Sequence, residues 1–151
     1  MKLILASLAL IFTGSLAQAH DHSPGMTHLV FANGTVHAHC TWTQGPQTPD
    51  ESLLTIEWMN GTTHTPAEPP GTFTVALFMP KMGHGSAPTQ AQRVLDKDGH
   101  AVEGAYAISN IYFTMGGKWQ VNVTLKYADG TEETKTIDVD LGQQNGGGHH
   151  H

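Results

Sequence analysis

The sequence predicts an all-β fold, an antiparallel immunoglobulin-like β-sandwich of seven to eight strands, and three observations carry that expectation. From residue 27 onward apolar side chains recur with period two instead of 3.6. The segments with this period are rich in Val, Ile, Thr, Phe and Tyr and are punctuated by Gly, Pro and Asx. Asn33-Gly34 sits between two such alternating runs, the strongest short-range hairpin signal because both residues accept positive φ.

Taken from the N-terminus, Lys2, the apolar run from Leu3 to Phe12 and the triplet Ala17-Gln18-Ala19 form the n-region, h-region and cleavage site of a signal peptide, residues 1–19. The apolar run is shorter than the roughly 20 residues that span a bilayer. The expected destination is therefore periplasmic or secreted, with no membrane span after cleavage. Residues 20–26 are expected to form a flexible His-rich N-terminus, 27–142 the sandwich, and 143–151 a flexible Gly/His tail. Within the sandwich the strands fall near 27–32, 35–42, 52–58, 72–79, 92–96, 105–113, 119–127 and 133–140. Ala128-Asp129-Gly130-Thr131 supplies a second hairpin turn, and the segment 60–71, with Pro66, Pro69 and Pro70, is a stiff connector.

A two-residue loop at Asn33-Gly34 dictates the register of the first hairpin. It places His28 opposite His39, Val30 opposite His37 and Met26 opposite Thr41. One face then carries Met26, His28, His37 and His39. The other carries Leu29, Phe31, Val36, Ala38, Cys40 and Trp42, which is a core face. Cys40 is thus expected to be a buried thiol, and a lone Cys makes no intramolecular disulfide, so the fold rests on its apolar core.

Charge excludes one class of partner. Lys+Arg number 7 against 13 Asp+Glu, for a net charge of −6, and the lysines are scattered, so the electrostatic footprint of a nucleic-acid binder is missing. Enzyme signatures are missing as well: the sequence has no nucleophile elbow, no phosphate-binding Gly-rich loop after a strand and no H-E-x-x-H. A blue-copper site needs a Cys with His and Met shortly downstream, and Cys40 is followed by Thr41-Trp42-Thr43-Gln44. No enzymatic activity is expected.

What stands out is 11 His and 6 Met, more soft and borderline metal ligands than packing requires. Met79-Pro80-Lys81-Met82-Gly83-His84-Gly85 runs from a strand end into a loop, and thioether with imidazole points to copper before other metals. Met115 follows a later strand that points the same way, so strand parity brings Met79, Met82, His84 and Met115 to one pole. His28, His37 and His39, with Met26, form a second candidate surface whose cross-strand imidazoles could share a metal. A chain beginning at His20 could also bind Cu(II) through its amine, His20 and His22. Parity puts His39 near the pole of the Met79 loop, which would permit one mixed site, and puts His64 and His100 at the opposite pole as solvated residues.

The pattern Met79-Pro80-x-Met82-x-His84-Gly85, then Gly104-x-Tyr106, then Phe113-Thr114-Met115-x-Gly117-x-Trp119-x-Val121 resembles the YtkA-like and FixH-like domain family over roughly residues 50–125. The resemblance implies an exported or tethered β-sandwich associated with copper handling or haem-copper oxidase assembly, with Met79, Met82, His84 and Met115 as ligands. It also implies, as partner, another envelope copper protein or an oxidase-assembly factor. The expected function is a periplasmic copper-binding protein that buffers or transfers Cu(I) or Cu(II). The alternative is an immunoglobulin-like interaction module of the cell envelope with no metal, in which Met82 and Met115 form an apolar contact patch.

Overall fold

The computed structural model describes residues 25–142, and the segment 1–19 expected to be a signal peptide, His20, His22 and the C-terminal residues 143–151 lie outside the described residues. The strands are β1 (Thr27–Phe31), β2 (Val36–Gln44), β3 (Ser52–Asn60), β4 (Gly71–Met79), β5 (His84–Gly85), β6 (Gln90–Leu95), β7 (Ala101–Ile111), β8 (Lys118–Tyr127) and β9 (Glu132–Asp140). Two antiparallel sheets, ordered β1-β2-β3-β7-β6 and β5-β4-β8-β9, stack as a sandwich. The eight expected strands are present. The ninth, β5, is a two-residue pairing of Phe78 with Gly85 and Met79 with His84, made where the chain reverses just after β4.

The first hairpin has the expected register, with Val30 opposite His37 and His28 opposite His39. Asn33 (φ 51, ψ 36) and Gly34 (φ 92) hold the positive φ that such a turn requires, Ala32 before them is left-handed as well (φ 50), and Thr35 N–H donates to Ala32 O at 3.1 Å. The expected Met26–Thr41 pair is not made. The ladder ends at Thr27–Cys40, and Met26 lies outside it, 58% exposed. Beyond Trp42 the β2–β3 register shifts at a bulge, with Gln44 opposite Leu53.

Alternation along the strands fills the space between the sheets. Leu29, Phe31, Ala38, Cys40, Leu54, Ile56 and Trp58 from one sheet meet Val75, Leu77, Trp119, Val121, Val123 and Leu125 from the other. Each such large side chain contributes about 1.5–3 kcal/mol by leaving water. Cys40 is 1% exposed, as the hairpin parity requires, and burial pushes its thiol up to about 12.

Polar latches close the edges. On the β1/β9 side, Ala32 N–H donates to Glu133 Oε2 at 2.9 Å, and Tyr127 Oη–H donates to the same oxygen at 2.8 Å. On the other side, Thr89 Oγ1–H donates to Val75 O at 2.6 Å. Glu68, between the prolines of the β3–β4 connection, accepts from Gly104 N–H at 2.9 Å and Tyr106 Oη–H at 2.7 Å and pairs with Arg93 at 2.6 Å. The connector is thus tied to β6 and β7. Charge parity in the sequence carries no trace of this latch, which depends on the loop folding back across two strands.

Candidate functional site

Two groups of ligand-type side chains emerge, at separate places in the sandwich. The first is at the pole where β4 and β7 end and β8 begins. Met79 occupies the last inward-facing position of β4 and is 4% exposed, part of the core. Beyond it the chain turns tightly, with Met82 N–H and Gly83 N–H both donating to Met79 O, at 3.1 and 3.0 Å. This turn lifts Met82 to the surface, 52% exposed, and lays His84 beside Met79 across the β4–β5 pair. From the neighbouring β7–β8 connection comes Met115, half-buried against the core. Its carbonyl is fixed by Trp119 Nε1–H at 3.0 Å.

These loops enclose an open cleft of about 1110 Å³ whose walls include Met79, Met82, Met115 and Trp119. The terminal methyl of Met79 reaches across to the second loop, lying 2.9 Å from where a Cβ on Gly117 would stand. The His84 ring is 6.4 Å from the Trp119 ring, on the same inward side as Met79. Parity therefore brings the four residues expected from the sequence to one pole: a buried Met79 forms the floor of the cleft, Met82 and Met115 line its walls, and His84 stands exposed beside Met79 outside the lining. Lys81 and Lys118 share the rim with Asp138 and Asp140, so the formal charges cancel. A cation held there would be selected by the softness of sulfur and not by net charge.

The second group lies on the outer face of the larger sheet. The His28 ring packs edge-on against His37 at 4.5 Å and against His39 at 4.7 Å between centroids. His64 joins them, 5.7 Å from His37. Partial desolvation under its neighbours, then the charges of His37, His39 and His64, hold the His28 pKa below its ordinary value. Two expectations are corrected here. His39 pairs with Glu57 in the middle of the sheet, far from the pole of the Met79 loop, so the two groups do not merge. His64 does lie at the opposite pole, but beside His37 instead of alone.

The placement of His64 comes from contact between two turns. Gly61 N–H donates to Thr35 O at 2.8 Å, and Gly61 sits so close to Gly34 that a Cβ would stand 2.0 Å from its carbonyl oxygen. Asn60 Oδ1 accepts from Thr62 N–H and Thr63 N–H at 2.9 and 3.0 Å, curling the chain so that His64 takes a left-handed φ of 55 and turns back over β2. The one signal in the sequence is Asn60-Gly61, an Asx-Gly step after a strand, and it marks a turn without saying what the turn packs against.

Among the described residues, the His, Asp, Glu and Cys group whose ligand atoms all lie within 4.8 Å is Asp96, Asp98 and His100, in the exposed β6–β7 turn. Asp96 Oδ1 there accepts from Asp98 N–H and His100 N–H, both at 2.9 Å, so the carboxylate is shaping the turn. No helix among the described residues is long and apolar enough to cross a membrane.

No family model matches the chain, and no curated protein matches it. The YtkA-like and FixH-like resemblance is thus without a supporting family match. Among solved structures the chain is similar to a DUF4426 family protein from Pseudomonas aeruginosa PAO1, at 12% identity and TM-score 0.54, covering 80% of this chain and 98% of that one. That likeness shows the sandwich fold alone.

Proposed function

We propose that this is an exported copper-binding protein that holds Cu(I) in the cleft lined by Met79, Met82 and Met115, with the exposed His84 beside it, for buffering or for transfer to an envelope partner. The observation that carries the reading is the convergence of three methionines from two separate loops on one open cleft, with an imidazole and the Trp119 ring beside them. Thioether and imidazole are the neutral donors that suit Cu(I). The donor arrangement supports exchange as well as binding. Met79 is buried in the core and Met115 is half-buried against it, while Met82 is exposed in the turn and can leave the ion for a partner's ligand. Export rests on the Met1–Ala19 pattern. Binding and release make no demand for a nucleophile or general base.

The test is the methyl spectrum of methionine-labelled protein on anaerobic addition of Cu(I). Met79, Met82 and Met115 should shift together, while Met59 on the other sheet and Met26 just before β1 stay in place. Methyl groups indifferent to copper would overturn the reading and return the cleft to an apolar docking patch.

A further inference from the structure

The four imidazoles of the second group have no part in the cleft, whose lining includes none of them. We propose that His28, His37 and His39, joined by His64 from the β3–β4 turn, form a separate site for one divalent ion of the zinc and copper(II) class.

The framework is rigid. His37 and His39 alternate on β2, which is hydrogen-bonded on both sides, and His28 stands directly opposite His39 on β1. Two imidazoles at i and i+2 on one strand and a third on its neighbour supply three neutral nitrogens to one side of a sheet, with a fourth position left for His64 or water. Tetrahedral coordination at about 2 Å per nitrogen puts ring centroids roughly 5 Å apart. The observed 4.5, 4.7 and 5.7 Å bracket that spacing.

As placed, His28 packs edge-on against the other two rings, so closing on an ion requires rotation about side-chain torsions. His28 and His64 are exposed and His37 and His39 half-buried, and exposed side chains turn within nanoseconds. Among the described residues the imidazole that hydrogen-bonds to protein is that of His84, to Gly85 O. The surroundings favour a cation: no Lys or Arg occurs from Leu3 to Pro80, and Glu57 stands opposite His39. Imidazole without thioether suits Zn(II) and Cu(II) and gives no preference for Cu(I), so this site differs in kind from the cleft.

The experiment uses the full chain with His20, His22, His149, His150 and His151 changed to Ala, which removes ligands outside the described fold. Zn(II) is titrated while imidazole nitrogens are followed by NMR. One equivalent should shift His28, His37, His39 and His64 together and leave His84 and His100 unmoved. His28→Ala with His39→Ala should weaken zinc by at least about tenfold, with an unchanged melting temperature because both sit on the outer face. The same double variant should still hold Cu(I), so this site and the cleft fail separately. A Cu(II) arm, read by nitrogen hyperfine coupling, shows whether copper(II) enters the same site. Zinc affinity unchanged in the double variant, or ring shifts confined to other histidines, would overturn the proposal, as would binding of neither ion.

Discussion

Replacing Gly61 with alanine tests how the second group of histidines is assembled, because Gly61 is needed for space and not for an unusual φ. A Cβ at this position would stand 2.0 Å from Gly34 O and 2.9 Å from both the Gly34 carbonyl carbon and His37 Nε2. Ordinary contact begins near 3.4 Å, so the two turns must part by about 1.4 Å. That movement takes the 2.8 Å bond from Gly61 N–H to Thr35 O out of range. Losing the bond costs about 1 kcal/mol, and the strain of fitting a methyl between two backbones adds about 1–3 kcal/mol. Gly61→Ala should therefore destabilise by about 2–4 kcal/mol in urea denaturation, and the ring contacts between His37 and His64 should vanish from NOE spectra. Gly130→Ala is the control: its φ of 86 is left-handed but its surroundings are open, so the cost should be only about 1 kcal/mol. A Gly61→Ala protein that matches the wild type within about 0.5 kcal/mol and keeps the His37–His64 contact would refute the account of how the turns meet.

Other outcomes follow from the same geometry. Cys40, with its thiol pushed up to about 12 inside the core, should resist thiol reagents at neutral pH until the protein unfolds, and fast native-state labelling would contradict its burial. The Ala32 N–H first, then Tyr127 and Lys135, holds the Glu133 carboxyl below the ordinary glutamate range. Its contribution is full above the unfolded pKa of about 4.3 and is lost as pH falls through the lower folded value. Glu133→Gln should flatten the acid limb of stability against pH, and an unchanged limb would show that other carboxylates dominate it. Glu68→Gln should loosen the 61–70 connector, seen as faster amide exchange at Gly104, since its carboxylate binds Gly104, Tyr106 and Arg93 together.

Most of the sandwich was legible in the sequence because its signals are local. Asn33-Gly34 fixes a turn, the turn fixes a register, and the register sorts Phe31, Ala38 and Cys40 inward and His28, His37 and His39 outward. Strand direction likewise sufficed to bring Met79 and Met115 to one pole. What escaped depends on tertiary contact. β5 exists only because the turn after Met79 doubles the chain back on its own strand. His64 reaches His37 only because Gly61 nests against Gly34. Parity names a pole but not a height along a strand, and His39 was misplaced for that reason. Met26 was paired by extending a register past Thr27, where the β1–β2 ladder stops.

The central claim is a Cu(I) site in the cleft, and its most direct measurement is an anaerobic Cu(I) titration against a competing chelator. The protein is the full chain with His20, His22, His149, His150 and His151 changed to Ala. The account predicts one Cu(I) per chain taken from the chelator, and its loss in a Met82→Leu, His84→Ala double variant whose melting temperature is preserved, since both side chains are exposed. Failure to compete with the chelator, or an affinity unaltered in the double variant, would contradict it.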